Sequence, residues 1–185
     1  YSNKFKWNLE NFDYIVNSNI LVSIILTNYN SESLIKDSIE SILNQTYKTI
    51  ELIIVDDGST DHSLDIISLY KDLFNVRVVS LNKNYGCYFA KNIGLLLSNG
   101  KFIGFQDADD ISSTFRIEKQ IKYLLENVNV DMVFCDILKC ENNIDNFNSS
   151  LGKEEGKGYL GLITLLMRRD VLDKVGLYSD YYPHS

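Results

Sequence analysis

Proline is nearly absent from the 185-residue sequence, in which only Pro183 occurs, and there are only three cysteines and two histidines. The cysteines (Cys87, Cys135 and Cys140) are odd in number and lack zinc-type spacing, so we interpret them as reduced structural thiols. No apolar stretch approaches the ~18 residues that a membrane span requires, and no signal peptide is visible. These absences predict a cytoplasmic domain with no transmembrane segment in this chain.

Basic residues are also fewer than acidic ones. The sequence has 18 Lys and Arg and 25 Asp and Glu, which gives a net charge of −7 at pH 7. Nucleic-acid backbones are bound by clustered Lys and Arg, so this balance argues against a nucleic-acid partner. A nucleotide substrate stays compatible with it, since a bound metal can neutralise a diphosphate. No Walker A loop, GxGxxG motif or nucleophile elbow occurs, which excludes P-loop NTPases and dinucleotide-binding Rossmann domains.

The apolar residues alternate between short runs rich in branched residues and segments with helical spacing. The predicted strands are Leu21–Leu26, Glu51–Val55, Val76–Ser80, Lys101–Gln106, Asp131–Ile137 and Leu162–Met167. The predicted helices are residues 34–43, His62–Lys71, Cys87–Ser98, a helix capped by Ser112 or Ser113, and Arg169–Val175. This alternation predicts parallel βαβ units in an α/β fold, with residues 1–19 as an N-terminal extension and residues 20–185 as one domain.

Polar residues follow three of these strands, at residues 27–30, 56–61 and 107–110. If the strands are parallel, at least five carboxylates meet at one edge of the sheet, where ligands bind in such folds. Carboxylates so close raise one another's pKa unless a hard cation such as Mg2+ or Mn2+ lies among them. The alternative is that each Asp caps the next helix. That alternative is weaker for Asp107, Asp109 and Asp110 together, since one helix needs one cap.

The runs VSIILTNYN, SIESILNQTYKTIELIIVDDGSTD and NYGCYFAKNIGLLLSNGKFIGFQDADD resemble the family 2 glycosyltransferases of GT-A fold, and the resemblance extends over about Val22 to Asp180. The VDDGSTD and DADD turns occur in the family's order and at its usual separation. The resemblance implies a GT-A (Rossmann-like) three-layer α/β fold, with helices flanking a central, mostly parallel sheet. It also implies inverting, metal-assisted transfer of a sugar from a nucleotide-diphospho-sugar, most simply a UDP-sugar, to an acceptor hydroxyl.

The resemblance further implies roles for individual residues. Tyr29 would lie near the base and Asp57 would accept a hydrogen bond from the uracil N3–H group. Asp109 would contact the Mn2+ or Mg2+ ion that bridges the diphosphate. The implied donor-binding residues are Thr27, Tyr29, Asn30, Asp56, Asp57, Gly86, Lys91, Asn92 and Asp107, and the implied metal residues are Asp107, Asp109 and Asp110.

Lys91 departs from the family pattern, because the segment from Gly86 to Asn92 usually reads G-x-x-x-A-R-N and here carries Lys in place of Arg. Lysine keeps the positive charge but loses the planar fork that binds phosphate or a base in bidentate fashion. The alternative for Lys91 is a solvated position on a helix face.

An acceptor hydroxyl that attacks the anomeric carbon needs a general base, which is a carboxylate or a histidine. In the family the base lies in an acidic motif downstream of the stretch that corresponds to Gly176–Asp180. Asp180 and His184 are the late candidates in this sequence, and neither matches well. We therefore expect the base and part of the acceptor site to lie beyond Ser185.

Two other functions stay open from the sequence. One is a catalytically inactive sugar-nucleotide-binding module of a larger protein. The other is a nucleotidylyltransferase, although the Gly-rich basic phosphate loop of those enzymes is missing near the first strand. The sequence names neither the sugar nor the acceptor, which would be a glycan, a lipid-linked sugar or a protein.

Overall fold

The computed structural model describes residues 19–137 and 162–179, in which six strands form one sheet. The strands are β1 (Val22–Asn28), β2 (Ile50–Asp56), β3 (Val76–Ser80), β4 (Phe102–Asp107), β5 (Met132–Val133) and β6 (Leu166–Arg168). The α-helices are α1 (Ile35–Leu43), α2 (Ser63–Ser68), α3 (Cys87–Leu97), α4 (Arg116–Glu126) and α5 (Asp170–Val175), and a 3-10 helix covers Leu162–Thr164.

The strand order is β3-β2-β1-β4-β6-β5, and β1 to β4 are parallel to one another. Every residue of β1 is buried, as expected for a central strand that pairs with β2 on one side and β4 on the other. The right-handed crossovers that parallel strands require bring the helices onto both faces of the sheet. The predicted mostly parallel α/β sheet is thereby confirmed.

Residues of β1 alternate between two apolar cores because successive side chains point to opposite faces of a sheet. Val22, Ile24 and Leu26 pack with α1, α2 and α4 on one face. Ile25 packs with α3 and α5 on the other face. The same alternation decides which polar residues beyond the ends of the strands share a site.

The last two strands are the antiparallel part of this mostly parallel sheet, since β6 is antiparallel to β4 and β5 is antiparallel to β6. The predicted strand Asp131–Ile137 is reduced to Met132–Val133. The predicted strand Leu162–Met167 begins as a 3-10 helix and becomes a strand only at Leu166. Short apolar runs do not specify pairing partners, which depend on where the intervening chain returns to the sheet.

Two helix assignments also change. The helix predicted for His62–Lys71 covers only Ser63–Ser68 and continues as turns. The N-cap residue of α4 is Phe115, and no side chain caps it, so the prediction of a Ser112 or Ser113 cap was wrong. The Ser112 hydroxyl donates instead to Gln106 Oε1 at 2.7 Å. The Ser112 hydroxyl oxygen accepts from Arg116 Nη1 at 2.8 Å, so it binds a side chain and not the end of the helix.

Several predictions concern residues outside the described part of the chain: the extension up to residue 18, Cys140, Asp180 and His184. Cys87 and Cys135 are both free thiols. Among the described helices, none has the length and apolar character needed to cross a bilayer.

Gly94 sets the approach of α3 to β1, and we predict that Gly94→Ala destabilises the protein. A Cβ at this position would lie 2.3 Å from Ile25 Cγ2. Alanine gains about 1 kcal/mol in helix propensity, but overpacking a core costs about 1–3 kcal/mol, so the steric term wins. Urea denaturation should show a lower midpoint for Gly94→Ala. Leu96→Ala, at an exposed position of the same helix, should leave the midpoint nearly unchanged, and an unchanged Gly94→Ala midpoint would contradict the prediction.

Candidate functional site

A cavity of about 510 Å³ opens at the carboxyl edge of the parallel strands. Its walls come from the segments that follow β1, β2, β3 and β4, as expected for a ligand site in an α/β sheet. The lining residues are Thr27, Asn28, Tyr29, Ser31, Asp57, Asn84, Gly86, Cys87, Lys91, Asp107, Ala108 and Asp109. Six of the nine residues assigned to the donor from the sequence line this cavity: Thr27, Tyr29, Asp57, Gly86, Lys91 and Asp107.

The other three residues of that set lie elsewhere. Asp56 is fully buried and accepts hydrogen bonds from Asn28 Nδ2 and from both the backbone and the hydroxyl of Ser59. Asn30 accepts from the Thr60 backbone N–H, and Asn92 pairs with the backbone of Tyr178. Each of the three carries contacts that hold loops in place.

The expectation that five carboxylates converge is wrong, because only Asp57, Asp107 and Asp109 line the cavity. Asp56 and Asp57 are adjacent, so their side chains take opposite directions at the end of β2. Asp61 binds the backbone N–H groups of Glu32 and Ser63. Acidic residues close together in the sequence therefore differ in role, since some make structural contacts and others line the cavity.

Asp57 holds the loop after β3. Its Oδ1 and Oδ2 accept from the backbone N–H groups of Tyr85 and Gly86, both at 2.8 Å. Gly58 allows the close approach, since its φ is +71° and a Cβ there would lie 2.3 Å from the Lys83 carbonyl carbon. Gly86 has a φ of +97°, which favours glycine, and leads directly into α3. The second Asp of the VDDGSTD turn is therefore tied to the start of α3.

Lys91 is buried, with 5% of its surface exposed, which excludes the solvated helix face. Its Nζ donates to Asp107 Oδ1 at 2.9 Å and to Thr27 Oγ1 at 3.5 Å. Thr27 pairs with Asp107 across neighbouring strands, and both face α3. The ammonium group therefore places a positive charge in the wall of the cavity, beside the first carboxylate of the DADD turn.

The carboxylates of the DADD turn crowd one another. The pKa of Asp110 is raised, by burial first and then by the negative charges of Asp109 and Asp107, while Arg116 lowers it. Such an excess of negative charge is what a divalent cation offsets. In residues 19–137 and 162–179, no three acidic, His or Cys side chains are grouped closely enough to hold a metal by themselves. The crowded carboxylates have the chemistry that a cation of the Mg2+ type accepts, since that ion binds one or two carboxylates and completes its shell with water and substrate phosphates.

Tyr178 also lies beside the site, although no role was predicted for it. Its ring is 5.3 Å from that of Tyr88, and its backbone is held by both side-chain groups of Asn92. Burial raises the pKa of Tyr178 to about 12, with further contributions from Tyr88, Cys87 and Asp107. The phenol is thus neutral at physiological pH. Tyr178 is held near Asp107 by its backbone contact with Asn92, which lies 86 residues away in the sequence. No local sequence pattern reveals such a contact.

Four further polar residues behind the DADD turn were missed: Ser38, Gln106, Ser112 and Arg116. All four are buried. One signal in the sequence could have indicated them: Arg116 and Gln120 are spaced i,i+4 next to the apolar face formed by Ile117 and Ile121. Polar residues bordering a core face at helical spacing predict a buried network.

Two curated relatives from Escherichia coli are similar to this chain. The protein named UDP-Glc:alpha-D-GlcNAc-diphosphoundecaprenol beta-1,3-glucosyltransferase WfaP is 43% identical over 106 residues, which are 56% of this chain and 41% of that protein. WfgD, named for the same reaction, is 37% identical over 135 residues, which are 72% of this chain and 50% of that protein. The chain thus spans half or less of the length of these relatives.

Among solved structures, that of S. aureus TarS 1-349 in complex with UDP aligns with a TM-score of 0.70 at 24% identity. The alignment covers 87% of this chain and 51% of TarS 1-349. The likeness confirms the GT-A fold predicted from the sequence. The family model described as "Glycosyl transferase family 2" matches residues 23–177, most of the 185 residues. The chain belongs to glycosyl transferase family 2.

Proposed function

We propose that the chain binds a nucleotide-diphospho-sugar, with UDP as the nucleotide, and serves an inverting, metal-assisted sugar transfer. The observation that carries this proposal is the single cavity that gathers Thr27, Asp57, Lys91, Asp107 and Asp109 at the carboxyl edge of the sheet. The names of two relatives, at 43% and 37% identity, support UDP as the nucleotide.

The base end of the donor is assigned to Tyr29 and Asp57. Tyr29 is half exposed at the cavity wall, where its ring can stack on a pyrimidine. Each carboxylate oxygen of Asp57 accepts one backbone N–H, and a carboxylate has about four acceptor positions. A remaining position accepts the uracil N3–H. Cytosine has an acceptor at N3, so the same carboxylate disfavours CDP.

The diphosphate is assigned to the wall formed by α3 and the DADD turn. Gly86 and Cys87 line the cavity where α3 begins, and the N-terminal end of a helix favours anions. Lys91 adds a full positive charge, and two of its three donors bind Thr27 and Asp107. Asp107 and Asp109 would hold the Mn2+ or Mg2+ ion, which stabilises the charge that develops on the leaving diphosphate.

Inversion follows from a single displacement, in which the acceptor hydroxyl attacks the face of the anomeric carbon opposite the diphosphate. The chain supplies the donor side of this geometry by holding the diphosphate against Lys91 and α3. The general base is assigned to an acidic residue of the acceptor side. The acidic residues that line the cavity, Asp57, Asp107 and Asp109, are assigned to the donor and its metal.

Donor binding is testable on this chain by thermal unfolding with UDP, CDP and GDP, each with Mn2+ or with EDTA. A ligand at 100 times its Kd stabilises the native state by about 2.7 kcal/mol, which for a domain of this size shifts Tm by about 5–10 °C. We expect that shift with UDP and Mn2+ and a much smaller one with CDP. No shift with any nucleotide would refute the proposal.

The type of reaction is tested separately by supplying UDP-sugars and acceptors to the protein and analysing the products. Free UDP with a transferred sugar of inverted anomeric configuration, determined by NMR, supports the proposal. Release of pyrophosphate identifies a nucleotidylyltransferase. Binding without UDP release, even in a longer chain that carries the acceptor side, identifies an inactive binding module.

A further inference from the structure

Arg116 is a buried cation at the start of α4, with 8% of its surface exposed. Its guanidinium donates to five neutral oxygens: Gln120 Oε1 at 3.3 Å, Gln106 Oε1 at 3.0 Å, Ser112 Oγ at 2.8 Å, Phe105 O at 3.0 Å and Leu165 O at 3.5 Å. It also interacts with the Cys135 side chain and with the charge of Asp110. No ion pair to Arg116 forms within the described parts of the chain. Burial lowers the pKa of Arg116, which reflects the cost of keeping the charge there.

A buried charge with no carboxylate at ion-pairing distance is a poor source of stability, because an apolar side chain of similar size packs at no such cost. The guanidinium has a different advantage, which is a rigid fork of five donors with no acceptor. A residue of this kind determines which way the groups around it must point. The partner that matters most for the site is Gln106.

Gln106 is oriented by Arg116. Its Oε1 accepts from Arg116 Nη1 and from the Ser112 hydroxyl, so its Nε2 must point away from them. That Nε2 donates to the backbone carbonyl of Asp110 at 2.7 Å and to that of Asp107 at 3.5 Å. If the Gln106 amide were reversed, its NH2 group would face the N–H donors of Arg116. Its oxygen would then face the carbonyl oxygens of the turn.

The carbonyls of Asp107 and Asp110 define the DADD turn. The Asp110 backbone N–H donates to Asp107 O at 3.2 Å, and the Ser38 hydroxyl donates to the same oxygen at 2.9 Å. Gln106 and Asp107 are consecutive, so their side chains project from opposite faces of β4. The Gln106 amide therefore holds the turn from behind while the carboxylates of Asp107 and Asp109 face the cavity.

Arg116 also bridges β4, which leads into the turn, and the segment just before β6. The pairing of β4 with β6 ends at Gly104 and Leu166. One residue farther, Arg116 Nη2 donates to both Phe105 O and Leu165 O, where the backbones have separated. The guanidinium thus fixes the end of β4 immediately before the DADD turn.

We propose that Arg116 is a positioning residue which, through Gln106, holds the DADD turn in the shape that binds metal and diphosphate. The inference rests on the proposed function, in which Asp107 and Asp109 hold the cation. Residues that orient metal ligands from behind typically contribute about 10–100-fold to metal affinity. The gain in UDP affinity produced by Mn2+ should therefore depend on Arg116 and Gln106.

The central test is Gln106→Glu, which keeps size and pairs with Arg116 but offers no donor to the carbonyls of Asp107 and Asp110. Arg116→Lys keeps the charge and removes the fork. The matched control is Arg169→Lys. That arginine also binds protein oxygens, Gly100 O at 2.6 Å and Ser98 Oγ at 2.8 Å, but it lies at the opposite edge of the sheet.

Two readouts are measured on each variant. Hydrogen exchange at the Asp110 amide, followed by NMR without any ligand, reports the turn itself. Titration of UDP with Mn2+ and with EDTA reports the metal-dependent gain. We expect faster exchange at Asp110 and about a tenfold or greater loss of that gain in both test variants. The Arg169→Lys control should lose stability without changing either readout.

Wild-type exchange at Asp110 and a wild-type Mn2+ gain in folded Gln106→Glu would overturn the inference. Gln106→Glu alone decides the question if Arg116→Lys does not fold. If the wild-type chain binds no UDP, the proposed function fails. In that case the exchange rates still decide whether Arg116 and Gln106 hold the turn.

Discussion

Substituting Asp109 with asparagine should abolish most of the increase in UDP affinity that Mn2+ or Mg2+ produces. Asp109 is exposed at the cavity, and no ion pair engages it within the described residues. Asp107, in contrast, is already paired with Lys91. The full charge of Asp109 is therefore available to a cation, and asparagine removes that charge while keeping the size of the side chain. The loss should equal or exceed the roughly 10–100-fold typical of residues that only support metal ligands.

Calorimetric titration of UDP with Mn2+ and with EDTA measures this loss. The control is Asp72→Asn, the same chemical change at an exposed position before β3, at the other edge of the sheet. The control should bind UDP as the wild type does under both conditions. Equal UDP affinity of the wild-type chain with EDTA and with Mn2+ would contradict the metal assignment itself.

Substituting Asp57 with alanine should lower UDP affinity and remove the preference for UDP over CDP. The variant loses the acceptor proposed for the uracil N3–H, and a hydrogen bond to a charged group contributes about 1.5–3 kcal/mol. That range corresponds to about 10–150-fold in affinity. It also loses the two contacts to the backbone of Tyr85 and Gly86, which loosens the loop that leads into α3.

Asn84→Ala separates these two effects. Asn84 Oδ1 accepts from the Gly86 N–H at 2.9 Å, so its removal loosens the same loop while Asp57 stays in place. Asn84→Ala should weaken UDP and CDP to a similar extent, leaving their ratio unchanged. Competition of UDP and CDP against a fluorescent nucleotide measures the ratio in each variant. An Asp57→Ala variant that still prefers UDP would show that the base is recognised elsewhere.

The pattern along the chain was sufficient to predict the parallel part of the fold and the edge of the sheet at which the cavity opens. Strands β1, β2 and β4 appear as apolar runs because both of their faces are buried. The polar segments that follow them lie at one edge because parallel strands end on the same side. The Gly86 turn and the DADD turn were likewise recognisable from local sequence, and the family resemblance that they carry is confirmed.

Only the tertiary structure decided which of the polar residues face the cavity and what supports them. Asp56 and Asp57 are adjacent in sequence and both are buried, yet Asp56 binds Asn28 and Ser59 whereas Asp57 lies at the cavity. The local sequence of Lys91 is that of an ordinary helical lysine. Its contacts with Thr27 and Asp107 exist because β1 and β4 place those residues beside it. Arg116 depends on β6, whose antiparallel return to the sheet no local pattern indicated. Local sequence determines strands and turns because these depend on residues that are close together in the chain. The direction of a side chain, its burial and the charges around it depend on residues that are far apart in the chain.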